Sequence, residues 1–300
     1  MIDKARVGRC GRPLLAAALV LLMASPALGQ TQGGTRLTGY QGSAPVALVH
    51  DMSSGTDLFA RGERTHFVPA SLVKLMTAYV VLEQVKAGKL SLDQTVTVPA
   101  ALVRRWQQWP RASLMRLRGG EVVSIAQLLD GMITASGNDA AELLAAQVDA
   151  ELPSFLARMN RTAQRLGMAD SRFVTVTGWP DGGKTRVTAR DMARLAERLI
   201  RDHPAAYARF FGNRSLDRPG GVRLANRNPL LGRVAGADGL KTGHISTAGY
   251  TLVGSAQRGG RRLIVVLGGA QSQAQRAQEA AALLDAGFAA MTAAKGKATP

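Results

Sequence analysis

The chain has 300 residues, of which 46% are hydrophobic and 5% aromatic, and 38 Lys and Arg against 21 Asp and Glu give a formal net charge of +17. That length supports one sizeable core, in one or two lobes, with no solenoid repeat and no low-complexity block. The basic residues are scattered, mostly Arg, and form neither an aromatic-interleaved cluster nor a recognition helix, so no nucleic-acid partner is expected.

The first element is a targeting segment. Lys4, Arg6, Arg9 and Arg12 precede an apolar run from Leu14 to Met23, and small residues at Ala27 and Gly29 follow. This pattern predicts a signal peptide over residues 1–29, cleaved after Gly29, and a periplasmic mature protein with no membrane anchor. Cleavage removes four basic groups and one acid and leaves +14, a solvated Arg-rich surface with weak attraction to polyanionic envelope material. The single cysteine, Cys10, lies inside that segment, so the mature chain has no disulfide and no thiol nucleophile. The four histidines, His50, His66, His203 and His244, never form a metal-type pair, so no metal and no cofactor is expected.

Residues 30–43 read as a flexible lead-in. Strands are expected at 44–51 and 57–61, joined by Ser53-Ser54-Gly55, and then a helix over 71–87 that Gly88 ends. From about Asp93 to Ala237 the pattern is mainly helical, with helices at 124–135, 138–149, 153–166 and 188–202. Strands resume at 239–241, 250–256 and 262–268, the last two joined across Gly259-Gly260, before an Ala-rich amphipathic helix at 273–291. The economical fold is α+β: one antiparallel sheet closed by the two ends of the chain, covered by helices, with an inserted helical lobe and a cleft where lobe meets sheet. A tail, 292–300, follows.

Three short motifs carry chemistry. Ser71 and Lys74 sit three apart at a helix start, on one face. A serine hydroxyl needs a neighbouring base, and a lysine serves as one where a low dielectric and nearby positive charge lower its pKa. Ser136-Gly137-Asn138 turns between two helices, where Ser136 is suited to relay a proton and Asn138 to hold a substrate amide. Lys241-Thr242-Gly243 lies at a strand edge. There Lys241 offers a fixed positive charge, Thr242 a carboxylate contact, and Gly243 room for a substrate laid along the strand. Ser-x-x-Lys alone is weak, with about one chance match expected, whereas Lys-Thr-Gly is expected only ~0.06 times. Their order is that of penicillin-binding proteins and class A β-lactamases.

With these motifs the chain resembles the low-molecular-mass penicillin-binding proteins of the D-alanyl-D-alanine carboxypeptidase type, similar to penicillin-binding proteins 5 and 6. The resemblance covers residues of about 41–290. It includes Pro69 to Thr77, Asp130 to Ala140, Leu166-Gly167-Met168, Phe173 to Gly178, Thr188 to Met192, Asn226-Arg227-Asn228 and Gly239 to His244. It implies a β-lactamase/transpeptidase-like fold over 44–291, acting as a serine D,D-peptidase catalytic domain alone. Ser71 would attack the bond between two terminal D-alanines of a peptidoglycan stem peptide, and Lys74 would take and return the proton. The backbone N–H groups of Ser71 and His244 would form the oxyanion hole, Ser136 and Asn138 would line the cleft, and Arg227, Thr242 and His244 would meet the terminal carboxylate. β-Lactams would acylate Ser71, and the protein would act as a monomer.

Two rivals share the fold: a D,D-endopeptidase that cuts cross-links, and a catalytically inactive wall-binding module. A class A β-lactamase is a third, disfavoured because no glutamate lies between Arg158 and Lys184 to drive deacylation. The stretch from Gly178 to Gly183 has no assigned role.

Overall fold

The computed structural model describes Leu37 and residues 40–296. The signal segment 1–29 with Cys10, most of the lead-in, and the end of the tail lie outside the described residues. β1 (Val46–Asp51) and β2 (Thr56–Arg61) form the first hairpin. A 3₁₀ turn (Ala70–Leu72) runs into α1 (Val73–Lys86), closed by Gly88 at φ 68°. The inserted lobe follows, with β3 (Thr95–Thr97), α2 (Ala100–Gln107), β4 (Val122–Ser124), α3 (Ile125–Thr134), α4 (Asn138–Val148) and α5 (Leu152–Arg165). Then come α6 (Ala189–Asp202), α7 (Pro204–Phe210), β5 (Ser215–Arg218) and β6 (Val222–Ala225). β7 (Ala237–Ile245), β8 (Gly249–Arg258), β9 (Arg261–Ala270) and α8 (Gln273–Gly296) complete the chain.

The main sheet has five strands in the order β2-β1-β9-β8-β7, each pair antiparallel. The early hairpin thus docks on a strand more than 200 residues later, the closure expected from the sequence. Gly259 and Gly260, at φ 54° and 75°, make the two-residue turn between β8 and β9, a geometry other L-residues resist.

Alternation along β9 builds two cores. Ile264 and Val266 face α1, α6 and the lobe, whereas Leu263, Val265 and Leu267 face α8 with Leu283, Leu284 and Phe288. α1 lies in the interior of the fold. Val73 to Leu82 are buried without interruption, because sheet, α6 and lobe enclose the helix on every side. α3 starts with a capping box in which Ser124 Oγ accepts from Gln127 N–H and Gln127 accepts from Ser124 N–H.

The insertion is less helical than expected, since the pairs β3–β4 and β5–β6 lie within the 93–237 stretch. Of the lead-in, residues 40–43 are held against α8. Glu279 accepts from Tyr40 Oη at 2.7 Å and from the Ser43 N–H at 2.9 Å. α8 also extends past Met291 to Gly296. No helix among the described residues is long and apolar enough to cross a membrane.

Because α8 seals one sheet face, Leu284→Ala should destabilise the protein by about 2–5 kcal/mol. Urea denaturation measures that loss.

Candidate active site

The cleft lies between the lobe and the outer strand β7. Lys74 is fully buried in the first turn of α1, and its Nζ lies 3.1 Å from Ser71 Oγ, 2.7 Å from Asn138 Oδ1 and 2.6 Å from the Thr177 carbonyl. An ammonium would use all three as acceptors. A neutral amine would donate to Asn138 and Thr177 and keep its lone pair for the Ser71 hydroxyl. Ser71 lies within the 3₁₀ turn, two residues ahead of α1, rather than at the α-helical start expected for it.

The backbone beside these groups is strained. Ala70 and Ser136 have φ of 51° and 59°, left-handed values that a side chain resists. Ser136 is 5% exposed and lines the cleft. The corner it opens is anchored by Asp139, buried, whose carboxylate accepts from Met115 N–H at 2.8 Å and Leu117 N–H at 3.1 Å. Asn138 N–H also donates to the Ser113 carbonyl at 2.8 Å, so the loop before β4 is tied to this motif.

Burial first, and then the Arg227 guanidinium, pull Lys74 down to about 7, against the opposing pull of Asp139. Lys241 is also held well below the ordinary lysine range, by burial and then by Lys74, Arg227 and Arg276. This corrects the expectation of Lys241 as a fixed charge that depresses Lys74. The neighbouring cation that lowers Lys74 is Arg227, and Lys241 is itself depressed because it is enclosed among cations. Its Nζ donates to the Thr242 carbonyl at 2.9 Å.

Gly243 lines the cleft and also serves the fold: a Cβ there would lie 2.7 Å from the Pro69 carbonyl oxygen and 3.0 Å from Ser71 N, so the missing side chain admits the backbone of the nucleophile turn. β7 is nevertheless the last strand of the sheet, and its outer edge pairs with no other strand among the described residues. Thr242 and His244 line the cleft, and His244 stacks on Tyr250 at 4.0 Å between ring centroids. Burial and then Arg276 hold His244 below the usual histidine range.

Arg227 also lines the cleft. Its Nη1 donates to Ser113 Oγ at 2.8 Å, and the flanking asparagines shape its turn. Asn226 Nδ2 donates to the Asn213 carbonyl at 2.7 Å, and Asn228 Nδ2 to that of Gly239 at 2.9 Å.

The structure therefore brings together all nine residues singled out in the sequence: Ser71, Lys74, Ser136, Asn138, Arg227, Lys241, Thr242, Gly243 and His244. It adds others. Arg276, 5% exposed in the first turn of α8, stands over Tyr250 at 5.6 Å, and its Nε has no hydrogen-bond partner among the described residues. Its only sequence signal was a lone arginine in the first turn of an Ala-rich helix. The unassigned stretch now has a place. Thr177 supplies an acceptor for Lys74, Trp179 lines the cleft, and Asp181 holds the following turn through Gly183 N–H and Lys184 N–H.

Gly178, at φ 75°, presses on the Ala70 carbonyl, where a Cβ would overlap. Gly178→Ala should therefore lower stability by more than the about 1–2 kcal/mol of a left-handed alanine. A lower thermal midpoint together with slower penicillin labelling is the expected result.

Comparison with known proteins agrees with this geometry. The D-alanyl-D-alanine carboxypeptidase family, peptidase S11, matches residues 35–272. The chain is 37% identical over 278 residues to the D-alanyl-D-alanine carboxypeptidase DacD of Salmonella typhimurium, covering 92% of this chain and 70% of that one. It is 40% identical over 248 residues to DacC of Escherichia coli, covering 80% and 60%. The chain thus spans about two thirds of the length of these relatives. Penicillin-binding protein D2 of Listeria monocytogenes, solved in a cefotaxime-bound form, superposes with a TM-score of 0.75 at 33% identity, over 84% of this chain and 99% of that one. With the nucleophile turn, the buried lysine and the edge strand in one cleft, the chain belongs to the D-alanyl-D-alanine carboxypeptidase family of serine peptidases, the penicillin-binding fold.

Proposed function

We propose that this chain removes the terminal D-alanine from peptidoglycan stem pentapeptides through an acyl-enzyme on Ser71. The observation that carries the reading is the set of acceptors around Lys74 Nζ, with Ser71 Oγ at 3.1 Å. Neutral Lys74 takes the Ser71 proton as Oγ attacks the carbonyl, then returns it to the leaving D-alanine amine, and water cleaves the ester. The N–H groups of Ser71 and His244 receive the oxyanion. Ser136 relays the proton toward the leaving amine, and Asn138 holds the substrate amide.

Arg227, Arg276 and Thr242 receive the substrate's terminal carboxylate. This role gives a purpose to crowding cations against two lysines, because an incoming anion relieves the repulsion. Lys241, held well below the ordinary lysine range, serves as a hydrogen-bond donor beside the cleft, and Gly243 lets β7 come close to Ser71. On this reading the chain is exported on residues 1–29 to the periplasm, works there as a monomer, and is acylated by β-lactams.

A fluorescent penicillin should give a one-to-one adduct by intact mass with wild type, and none with Ser71→Ala. Labelling of a folded Ser71→Ala variant at the wild-type rate would sink the assignment. A pentapeptide should be hydrolysed faster than a cross-linked dimer, and the reverse order would favour the endopeptidase reading.

The pH dependence follows from Lys74. Its amine is lowered from the ordinary lysine value to about 7, and only the neutral form accepts a proton, so acylation should rise with pH through about 7. Arg227→Gln removes a charge that disfavours the ammonium. The rising limb should then move to higher pH, as measured by stopped-flow acylation.

A further inference from the structure

All three tryptophans of the chain, Trp106, Trp109 and Trp179, meet in one cluster, in which Trp179 lines the cleft and the other two pack against it. Trp106 is buried and donates from Nε1 to Glu142 Oε2 at 3.1 Å. Trp179 packs edge-on against Trp106 at 5.7 Å and against Trp109 at 5.6 Å. Trp109 stays 50% exposed, so one ring of the cluster is open to a partner. Both outer rings precede proline, as Trp109-Pro110 and Trp179-Pro180. Proline narrows the backbone of the residue before it, so these rings are presented with little left to order on binding.

The cluster is continuous with the reacting groups. Trp179 follows Gly178, which rests on the Ala70–Ser71 backbone, and its own N–H donates to Thr177 Oγ1 at 3.1 Å. Trp109 opens the turn that carries Arg111 and Ser113 to the cleft, with its carbonyl accepting from Ala112 N–H at 2.9 Å. Arg227 and Arg276 serve the leaving-group carboxylate on the functional reading above, on which this inference rests. The other half of the substrate, the acyl-side arm, is left to the part of the cleft that Trp179 borders.

We propose that Trp109 and Trp179 form a stacking subsite for this acyl-side arm, selecting an apolar or aromatic group without positive charge next to the scissile D-alanine pair. Ring faces reward apolar and aromatic partners. A cationic arm would gain some attraction to the rings but would share the cleft with Arg111, Arg227 and Arg276, which repel it. The subsite thus favours an arm that presents an aliphatic or aromatic surface to the rings over one that presents a cation to them.

Two penicillins that differ only in the arm provide the test: benzylpenicillin, which carries an aryl arm, and 6-aminopenicillanic acid, which has none. The ratio of their acylation rate constants should fall about three- to tenfold in Trp109→Ala and Trp179→Ala, the size of one aromatic contact, and Trp109→Phe should restore it. A wild-type ratio in both alanine variants, whether the separate rates fall or hold, would overturn the subsite. The unmodified enzyme gives a readout free of folding effects, because its intrinsic fluorescence comes from these three tryptophans. Emission should change on acylation by benzylpenicillin and stay constant with 6-aminopenicillanic acid, and equal changes would overturn the proposal. Failure of both compounds to acylate Ser71 would instead remove the functional reading, and the subsite with it.

Discussion

The buried amine of Lys74 is the point where three distant segments meet: the nucleophile turn, the corner at Asn138 and the backbone at Thr177. An amine removed from water is tolerated only when acceptors replace its hydration, and these are supplied by chain more than 60 residues away. The requirement spreads outward. Gly178 is bare because its own backbone lies against the Ala70 carbonyl, and Asp139 braces the loop that closes the corner. Left-handed backbone at Ala70 and Ser136 accompanies the convergence. Strain of this kind persists where surrounding packing over-determines it.

Electrostatics follows from the same enclosure. Lys74, Lys241, Arg227 and Arg276 crowd one cleft, with Asp139 the carboxylate that offsets them at Lys74. Burial lowers both lysines, and Arg276, whose burial and neighbour Arg227 bring it to about 10, shows how far the effect reaches. Such a site is unfavourable when empty and improves when an anion enters.

Much of this was legible in the sequence. The antiparallel sheet closed by both chain ends was readable because apolar runs bounded by glycine turns mark strands, and the Gly259-Gly260 hairpin appeared where expected. The inserted lobe was readable as a change to helical period. Its short strand pairs were not, since three- and four-residue strands such as β3 and β6 leave almost no periodicity. Trp179 and Arg276 were invisible as cleft residues for another reason. Nothing local distinguishes a tryptophan in a Gly-Pro loop, or an arginine on an Ala-rich helix, from a surface residue.

The sequence by itself determined which chemical groups exist and which near neighbours share a face, because spacings of three along a helix place Ser71 beside Lys74. Only the tertiary structure decided their states. The pKa of Lys74, the depression of Lys241, the occupant of the space beside Gly243 and the meeting of the three tryptophans all depend on burial and on distances between segments far apart in the chain. Those quantities are set by packing, which no local pattern encodes.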